Sequence, residues 1–352
     1  MLLNMIKKLF APQEMNANGA AAAINSVDSV SFDSYSSVAS KDDIYYCFRL
    51  LLGRNPSKEE WTGHSSALEG QAIKDVMLSY LTSTEFKNRS LGVVDVDNIK
   101  LIELDGYSMY VPANDPHVGN PIAKNGVYEP HITNFVKANL SEGDIFFDIG
   151  ANIGYFTFLA SSIVGEHGKV YSFEPFSENI KMLSINNMES KLDNINIYPF
   201  AVSNSDNLCL FDNSGSNGFI RPMSDKLSRV MDSTPVYSVA LDRLLGNVDK
   251  VDFIKIDTEG AEYLALSGAK EILVKHTPTI VSEFSPEALL ATSGVNYDEY
   301  LKLLLINEKY QLYAFEGHKL IACGRNFDQL MAVFTRSNAE HIDIVASPNQ
   351  LK

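Results

Sequence analysis

Three short stretches of this 352-residue chain carry residue types whose spacing could do chemistry. The first is Asp148-Ile149-Gly150-Ala151-Asn152-Ile153-Gly154-Tyr155-Phe156-Thr157, which follows the apolar run Ile145-Phe146-Phe147. A strand that enters a glycine turn and then a helix leaves backbone N–H groups at the helix start facing whatever binds at the strand's carboxyl end. Gly150 permits the tight turn, and Gly154 lets the helix pack on the sheet. A nicotinamide fingerprint would need glycine where Asn152 and Tyr155 stand. Asp148 would repel a pyrophosphate and suits a cationic amino-acid or sulfonium head better. The second stretch, Tyr171-Ser172-Phe173-Glu174-Pro175, places an acid 24 residues after Gly150. An acid at about that distance accepts from both ribose hydroxyls in dinucleotide folds. Together the two stretches indicate an adenosine-containing ligand without a pyrophosphate, a description that S-adenosylmethionine meets. The alternative is that Asp148 and Glu174 only cap neighbouring helices.

The third stretch is Val251-Asp252-Phe253-Ile254-Lys255-Ile256-Asp257-Thr258-Glu259-Gly260-Ala261-Glu262. Asp257 falls where this strand leaves the sheet, Glu259 and Glu262 follow in the turn, and Glu283 ends the next strand, Thr279–Phe284. Carboxylates at strand ends could orient a sulfonium donor, take an acceptor's proton, or hold a divalent cation. For Glu262 a helix-dipole role is an equal alternative. A sugar hydroxyl is a weak nucleophile, and the base candidates in order are Glu283, Glu259 and His131. A Mg²⁺ held by Asp257, Glu259 and Glu283 is the alternative to a base.

These residues need a scaffold, and the pattern supplies one. Short apolar runs near 144–149, 169–173, 195–199, 252–257 and 279–283 alternate with helical periodicity, which implies parallel β-α-β units and a doubly wound α/β sheet. A hairpin at 99–111 turns on Asp105-Gly106, and a helix over Glu129–Leu140 leads into the core, 128–335. Upstream, residues 1–41 read as a flexible leader rich in Ala, Ser, Asn and Asp. Residues 42–90 read as a small all-helical domain: Ile44, Tyr45, Phe48, Leu51 and Leu52 at helical spacing up to Gly53, then Ser57 and Glu60 as a capping box. A third helix is expected over Ile73–Leu81, with Ser83 capping a last turn that holds Phe86. His64 has no partner in its own helix and reads as structural. Residues 336–352 read as a C-terminal tail.

Composition narrows the class. With 29 Lys plus Arg against 44 Asp plus Glu, the formal net charge is −15, which removes the usual electrostatic drive for nucleic-acid binding. Base methylation of nucleic acid would also call for an Asn/Asp-Pro-Pro-Tyr/Phe element where this chain has Asp257-Thr258-Glu259-Gly260. Cys47, Cys209 and Cys323 form no C-x-x-C pair and read as small buried hydrophobes in a reducing compartment. No stretch approaches the roughly 20 apolar residues of a membrane span. The expected location is cytoplasmic, with peripheral attachment at the inner face of the membrane, through the amphipathic first ten residues, as the alternative.

The segment from about 96 to 335 resembles the FkbM family of S-adenosylmethionine-dependent methyltransferases. The resemblance rests on D-x-G-A-N-x-G-Y-x-T at Asp148–Thr157, F-E-P at Phe173–Pro175 and A-V-S at Ala201–Ser203. It continues with D-x-I-K-I-D-x-E-G-A-E at Asp252–Glu262, L-S-G-A at Leu266–Ala269, Y-E-P at Tyr128–Pro130, and the acid Glu283. The resemblance implies a class I methyltransferase (Rossmann-like) fold and O-methylation of a sugar, surface glycan or polyketide-type hydroxyl. Carried over by position, Asp148, Gly150, Asn152 and Gly154 would hold the methionine part of the donor, Glu174 the ribose, and Ala201 and Val202 the adenine. Asp257 would lie near the transferring methyl. Thr258 replaces the Val of many members, with little consequence expected. The glycine-rich insertion Leu208–Pro235 is where members differ most, so the acceptor transfers least there. Residues 43–89 resemble a small helical domain related to the phycobilisome-linker fold, through Leu51-Leu52-Gly53-Arg54-Asn55-Pro56 and Ser83-Thr84-Glu85-Phe86. Its association with surface-glycan enzymes implies glycan-assembly partners for 42–90. A different class of function is an inactive methyltransferase-fold scaffold; a lipid or secondary-metabolite acceptor is a further alternative.

Overall fold

The computed structural model describes residues 38–48, 52, 54–81, 83, 98–190, 192–214, 217–223 and 233–351. The leader up to residue 37, Leu51 and Gly53, Thr84–Phe86, Gly215-Ser216 and 224–232 lie outside the described residues. The chain divides into two compact units, Met1–Val94 and Asp95–Lys352.

In the first unit, helices α1 (Lys41–Tyr46), α2 (Lys58–Leu68) and α3 (Ile73–Leu81) surround Ile44, Phe48, Leu52, Val76 and Tyr80. The capping box of Ser57 and Glu60 is present, and Ser40 with Asp43 forms a second one on α1. Arg54 braces the first box with a forked pair to Glu60, at 2.9 and 2.7 Å. His64 meets Tyr80 Oη at 2.7 Å, so its partner comes from another helix.

The second unit opens with the hairpin of β1 (Ile99–Glu103) and β2 (Ser108–Pro112), then α4 (Gly119–Asn125) and α5 (Pro130–Asn139). Five parallel strands follow with helices between them: β3 (Ile145–Ile149), β4 (Lys169–Phe173), β5 (Ile195–Tyr198), β10 (Phe253–Ile256) and β11 (Thr279–Phe284). Successive residues of each strand feed opposite cores. Phe146, Val170, Phe253 and Val281 pack on one face, and Phe147, Phe173, Ile254 and Ile280 on the other. This both-sided burial is why the strands read as continuous apolar runs.

The sheet is mixed, in the order β13-β12-β14-β11-β10-β3-β4-β5. Beyond β11, strands β12 (Gln311–Glu316), β13 (Lys319–Gly324) and β14 (Ile342–Ser347) are antiparallel. The reading of 336–352 as a tail is therefore corrected: β14 lies between β11 and β12, with Ile344, Val345 and Ala346 buried. Its apolar run is short and flanked by polar residues, so length and composition alone made it look peripheral. The insertion is likewise built structure. Strands β6 (Ala201–Val202), β7 (Asn207–Ser214), β8 (Asn217–Pro222) and β9 (Thr234–Val239) form a separate four-stranded sheet, ordered β6-β9-β7-β8. All three cysteines are buried and unpaired. Among the described residues, no helix is long and apolar enough to cross a membrane.

Candidate active site

The strand order reverses between β3, which continues to β4 and β5, and β10, which continues to β11. In open α/β sheets ligands bind at such a switch point, beyond the carboxyl ends of the strands. A crevice opens there, lined by Gly150, Ala151 and Asn152 after β3, Glu174 and Pro175 after β4, and Lys255, Asp257, Thr258 and Glu259 from β10 onward. Phe200, Ala201 and Val202 close one end, Tyr128, Tyr155 and Phe156 the other, and Phe211, Asn217, Gly218 and Ile220 cover it from the small sheet.

The Gly150 turn is tight because the chain passes under Asp257. A Cβ on Gly150 would fall 1.9 Å from the Asp257 carbonyl oxygen, and its φ of +83° already favours glycine. The N–H groups of the turn are spent within the protein: Gly150 and Ala151 both donate to the Phe173 carbonyl, Asn152 to Glu174 Oε2, and Ile153 to Asn152 Oδ1. These are the amides of the turn itself, which precedes the helix start at Tyr155. The turn presents carbonyls and the Asn152 side chain instead.

Glu174 accepts main-chain hydrogen bonds from Asn152 and Phe176, both at 2.8 Å, and burial pushes its carboxyl up to about 7. Each carboxylate oxygen has a second lone pair. A ribose diol can therefore donate to it, beside an apolar slot of Phe173, Phe200, Val202 and Ile220 suited to an adenine. Toward the other end, Asp257, Glu259 and the aromatic faces of Tyr128, Tyr155 and Phe156 suit a sulfonium and an ammonium. The lining thus fits S-adenosylmethionine.

Two expected donor-binding residues lie off the wall. Asp148 is 1% exposed beneath the turn, where its Oδ2 accepts from Thr157 at 2.6 Å and burial raises its pKa. Gly154 is a packing glycine, since a Cβ there would meet Leu183 Cδ1 at 2.4 Å. Gly150, Asn152, Glu174, Ala201, Val202 and Asp257 are brought together as expected.

Of the base candidates, Glu259 lines the crevice, and its pKa is raised by burial and by Asp257. Glu283 does not line it. It lies opposite Asp343 in the β11–β14 register, and burial together with Asp257, Glu262, Glu259 and Asp343 pushes its carboxyl up to about 10. His131 also stands off the wall, paired through Nε2 with Asp343 Oδ2 at 2.6 Å, a bond that raises its pKa. Glu262 braces the turn, its Oε1 accepting from Thr258 N, Thr258 Oγ1 and Gly260 N. Thr258 thus has a use that Val could not fill. Among the described residues, no group of three or more His, Cys, Asp or Glu is placed to hold a metal ion.

Lys255, Glu129 and Asn217 were not singled out from the sequence. Lys255 is 5% exposed, 3.0 Å from Asp257 Oδ2 and 5.0 Å from the Phe156 ring centroid. Burial works to strip its proton, but Asp257, Glu129 and Asp148 override this and hold it charged. Glu129 is pushed up to about 7, chiefly by burial. Its φ of 40° places it with Asn152 at 51° and Glu259 at 54°, three non-glycine residues in left-handed backbone that come from the site's own motifs.

Switch point, glycine turn and spaced acid define a class I S-adenosylmethionine-dependent methyltransferase fold. Residues 148–312 match the family described as the Methyltransferase FkbM domain. Among solved structures, the chain is similar to Methyltransferase FkbM from Methylobacillus flagellatus, with 18% identity, TM-score 0.41, and 64% of this chain and 50% of that one covered. The chain thus spans half the length of that protein. It is also similar to an rRNA methylase from Streptococcus thermophilus (11%, TM-score 0.36, 62% and 95% covered). A third is an S-adenosylmethionine-dependent O-methyltransferase from Thermotoga maritima (13%, TM-score 0.35, 66% and 72%). No curated protein matches the sequence significantly.

Proposed function

We propose that the chain transfers a methyl group from S-adenosylmethionine to a hydroxyl of a sugar or surface glycan. The observation that supports this is one crevice whose lining includes both Glu174 with Phe200–Val202 and the carboxylates Asp257 and Glu259. When bound, S-adenosylmethionine supplies a methyl already activated on a sulfonium. The protein's task is alignment and removal of one proton. Gly150 and Asn152 lie beside the methionine part, and Glu174 takes the ribose. Asp257, anchored by Lys255, accepts from the acceptor hydroxyl, and Glu259 takes its proton. Burial and Asp257 raise the pKa of Glu259, which makes its carboxylate a stronger base than an exposed one. The helical unit recruits glycan-assembly partners, and the protein works in the cytoplasm.

Calorimetry with S-adenosylmethionine, followed by acceptor-dependent formation of S-adenosylhomocysteine across sugar, lipid and RNA pools, tests this. Turnover on sugars that persists in EDTA supports the base. Loss in EDTA supports an ion on Asp257, Glu259 and Glu283, and turnover on RNA alone overturns the acceptor class. Binding without turnover on any pool favours the scaffold.

A further inference from the structure

The β7–β8 hairpin is outside the parallel sheet, yet its Asn217 spans the crevice. Asn217 Oδ1 accepts from Asn152 Nδ2 at 3.3 Å, and its Nδ2 donates to Glu259 Oε1 at 3.0 Å. The Asn152 main chain in turn donates to Glu174 Oε2 at 2.8 Å. One side-chain amide therefore ties the donor-side turn to a carboxylate at the far wall. The amide does this by accepting through oxygen while donating through nitrogen. The backbone of Glu259 is in left-handed conformation, with its carbonyl held by Thr292 Oγ1 at 3.2 Å.

The charged groups facing Glu259 are Lys255 on β10, Asp257 just after it, Glu283 on β11, and His341 just before β14. Burial and Asp257 oppose its ionised form, whereas His341, Lys255 and the hydrogen bond from Asn217 favour it. Resting on the reading of Glu259 as the base, we propose that Asn217 is a positioning residue that aims Glu259 into the crevice and couples it to the donor-side turn at Asn152. The hairpin that carries Asn217 belongs to the insertion, so this role is added to the parallel-sheet motif by a separate segment.

S-adenosylmethionine and S-adenosylhomocysteine differ in one methyl and one positive charge, so they probe a carboxylate near the transfer point without a known acceptor. Calorimetry across pH 5.5 to 9 on the full chain measures both affinities. The preference for S-adenosylmethionine rises as Glu259 ionises, by on the order of tenfold, the scale of one charge pair across about 10 Å at protein-surface screening. Glu259→Gln shrinks this step to the share of Glu129, Glu174 and Glu262, which burial raises to about 7. Asn217→Ala moves the Glu259 share to higher pH, because the ionised carboxylate has lost a donor. Asn217→Asp moves it further, because it keeps an acceptor for Asn152 but cannot donate to Glu259 and adds a like charge. An unmoved step in both Asn217 variants, or a step undiminished in Glu259→Gln, overturns the inference alone. Failure of the unmodified protein to bind either ligand overturns the methyltransferase reading and the inference with it.

Discussion

Replacing Glu283 by Gln should stabilise the protein, and only above a certain pH. Glu283 faces Asp343 directly across an antiparallel pair, and like charges so placed destabilise each other. Its side chain is 14% exposed, and His341 Nε2 lies 4.0 Å from its Oε2. Burial and the neighbouring carboxylates carry its pKa from an ordinary 4.5 to about 10. The folded chain therefore holds a proton that the unfolded chain releases, so stability falls as pH rises from the unfolded value toward the folded one. At pH 7 the gap from 4.5 corresponds to at most about 3 kcal/mol at 1.36 kcal/mol per unit. Relaxation and sharing of the proton among neighbouring acids reduce this to about 1–2 kcal/mol. Glu283→Gln keeps the shape and a donor while deleting the ionisation. It should match the parent at pH 4.5 and exceed it by about 1–2 kcal/mol at pH 8. Urea denaturation followed by far-UV circular dichroism measures this; the only tryptophan, Trp61, lies in the first unit and would not follow the sheet. A stability difference that does not change between the two pH values would refute the protonated Glu283.

Three other outcomes follow from the site. Gly150→Ala should cost more than about 2 kcal/mol, because its Cβ meets the Asp257 carbonyl at 1.9 Å and its φ is +83°; a melting temperature within a degree or two of the parent would contradict that contact. Glu174→Ala should weaken S-adenosylmethionine by about ten- to a hundredfold in calorimetry, the scale of a lost hydrogen bond to a charged group, and unchanged affinity would remove Glu174 from the donor site. His131→Gln should cost no more than about 1 kcal/mol, since both partners are about one-fifth exposed. The folded pKa of His131 is raised, so the contribution is full below its unfolded value of 6.5 and lost as pH rises through the raised folded value. Melting curves should show a larger deficit at pH 5.5 than at pH 9, and an equal deficit would refute the pairing.

What could be read in the sequence was whatever depended on local pattern. The runs at Ile145–Ile149 and Phe253–Ile256 are apolar because both faces of the sheet are covered, and Gly150 marks a turn because a close backbone approach excludes a Cβ. The spaced acid Glu174 stands on the crevice wall for the same reason: strand and turn lengths set its position. Depth beneath the wall was not legible. Asp148 and Gly154 share a motif with Gly150, yet the alternation of a strand and the packing of a helix turn them away from the ligand side. Glu283 looked like a base because it ends a strand, and only its burial, among the carboxylates Asp257, Glu262, Glu259 and the antiparallel partner Asp343, shows why its pKa is raised. β14 was missed because its partners β11 and β12 are distant in the chain, and the β7–β8 hairpin because its polar, glycine-bearing residues around Asn213–Gly218 carry little strand pattern.

The charge of −15 acquires a different meaning at the crevice. Burial drives Glu129, Glu174 and Glu262 to about 7 and Glu283 to about 10, so much of the local acid is neutralised by protons instead of cations. Lys255 is spent on Asp257, and Glu259 is held by an amide, not a cation. Near neutral pH this arrangement keeps a small, placed negative charge opposite the aromatic wall, enough to favour a sulfonium. The field at the crevice is therefore set by burial, which a count of charged residues cannot register.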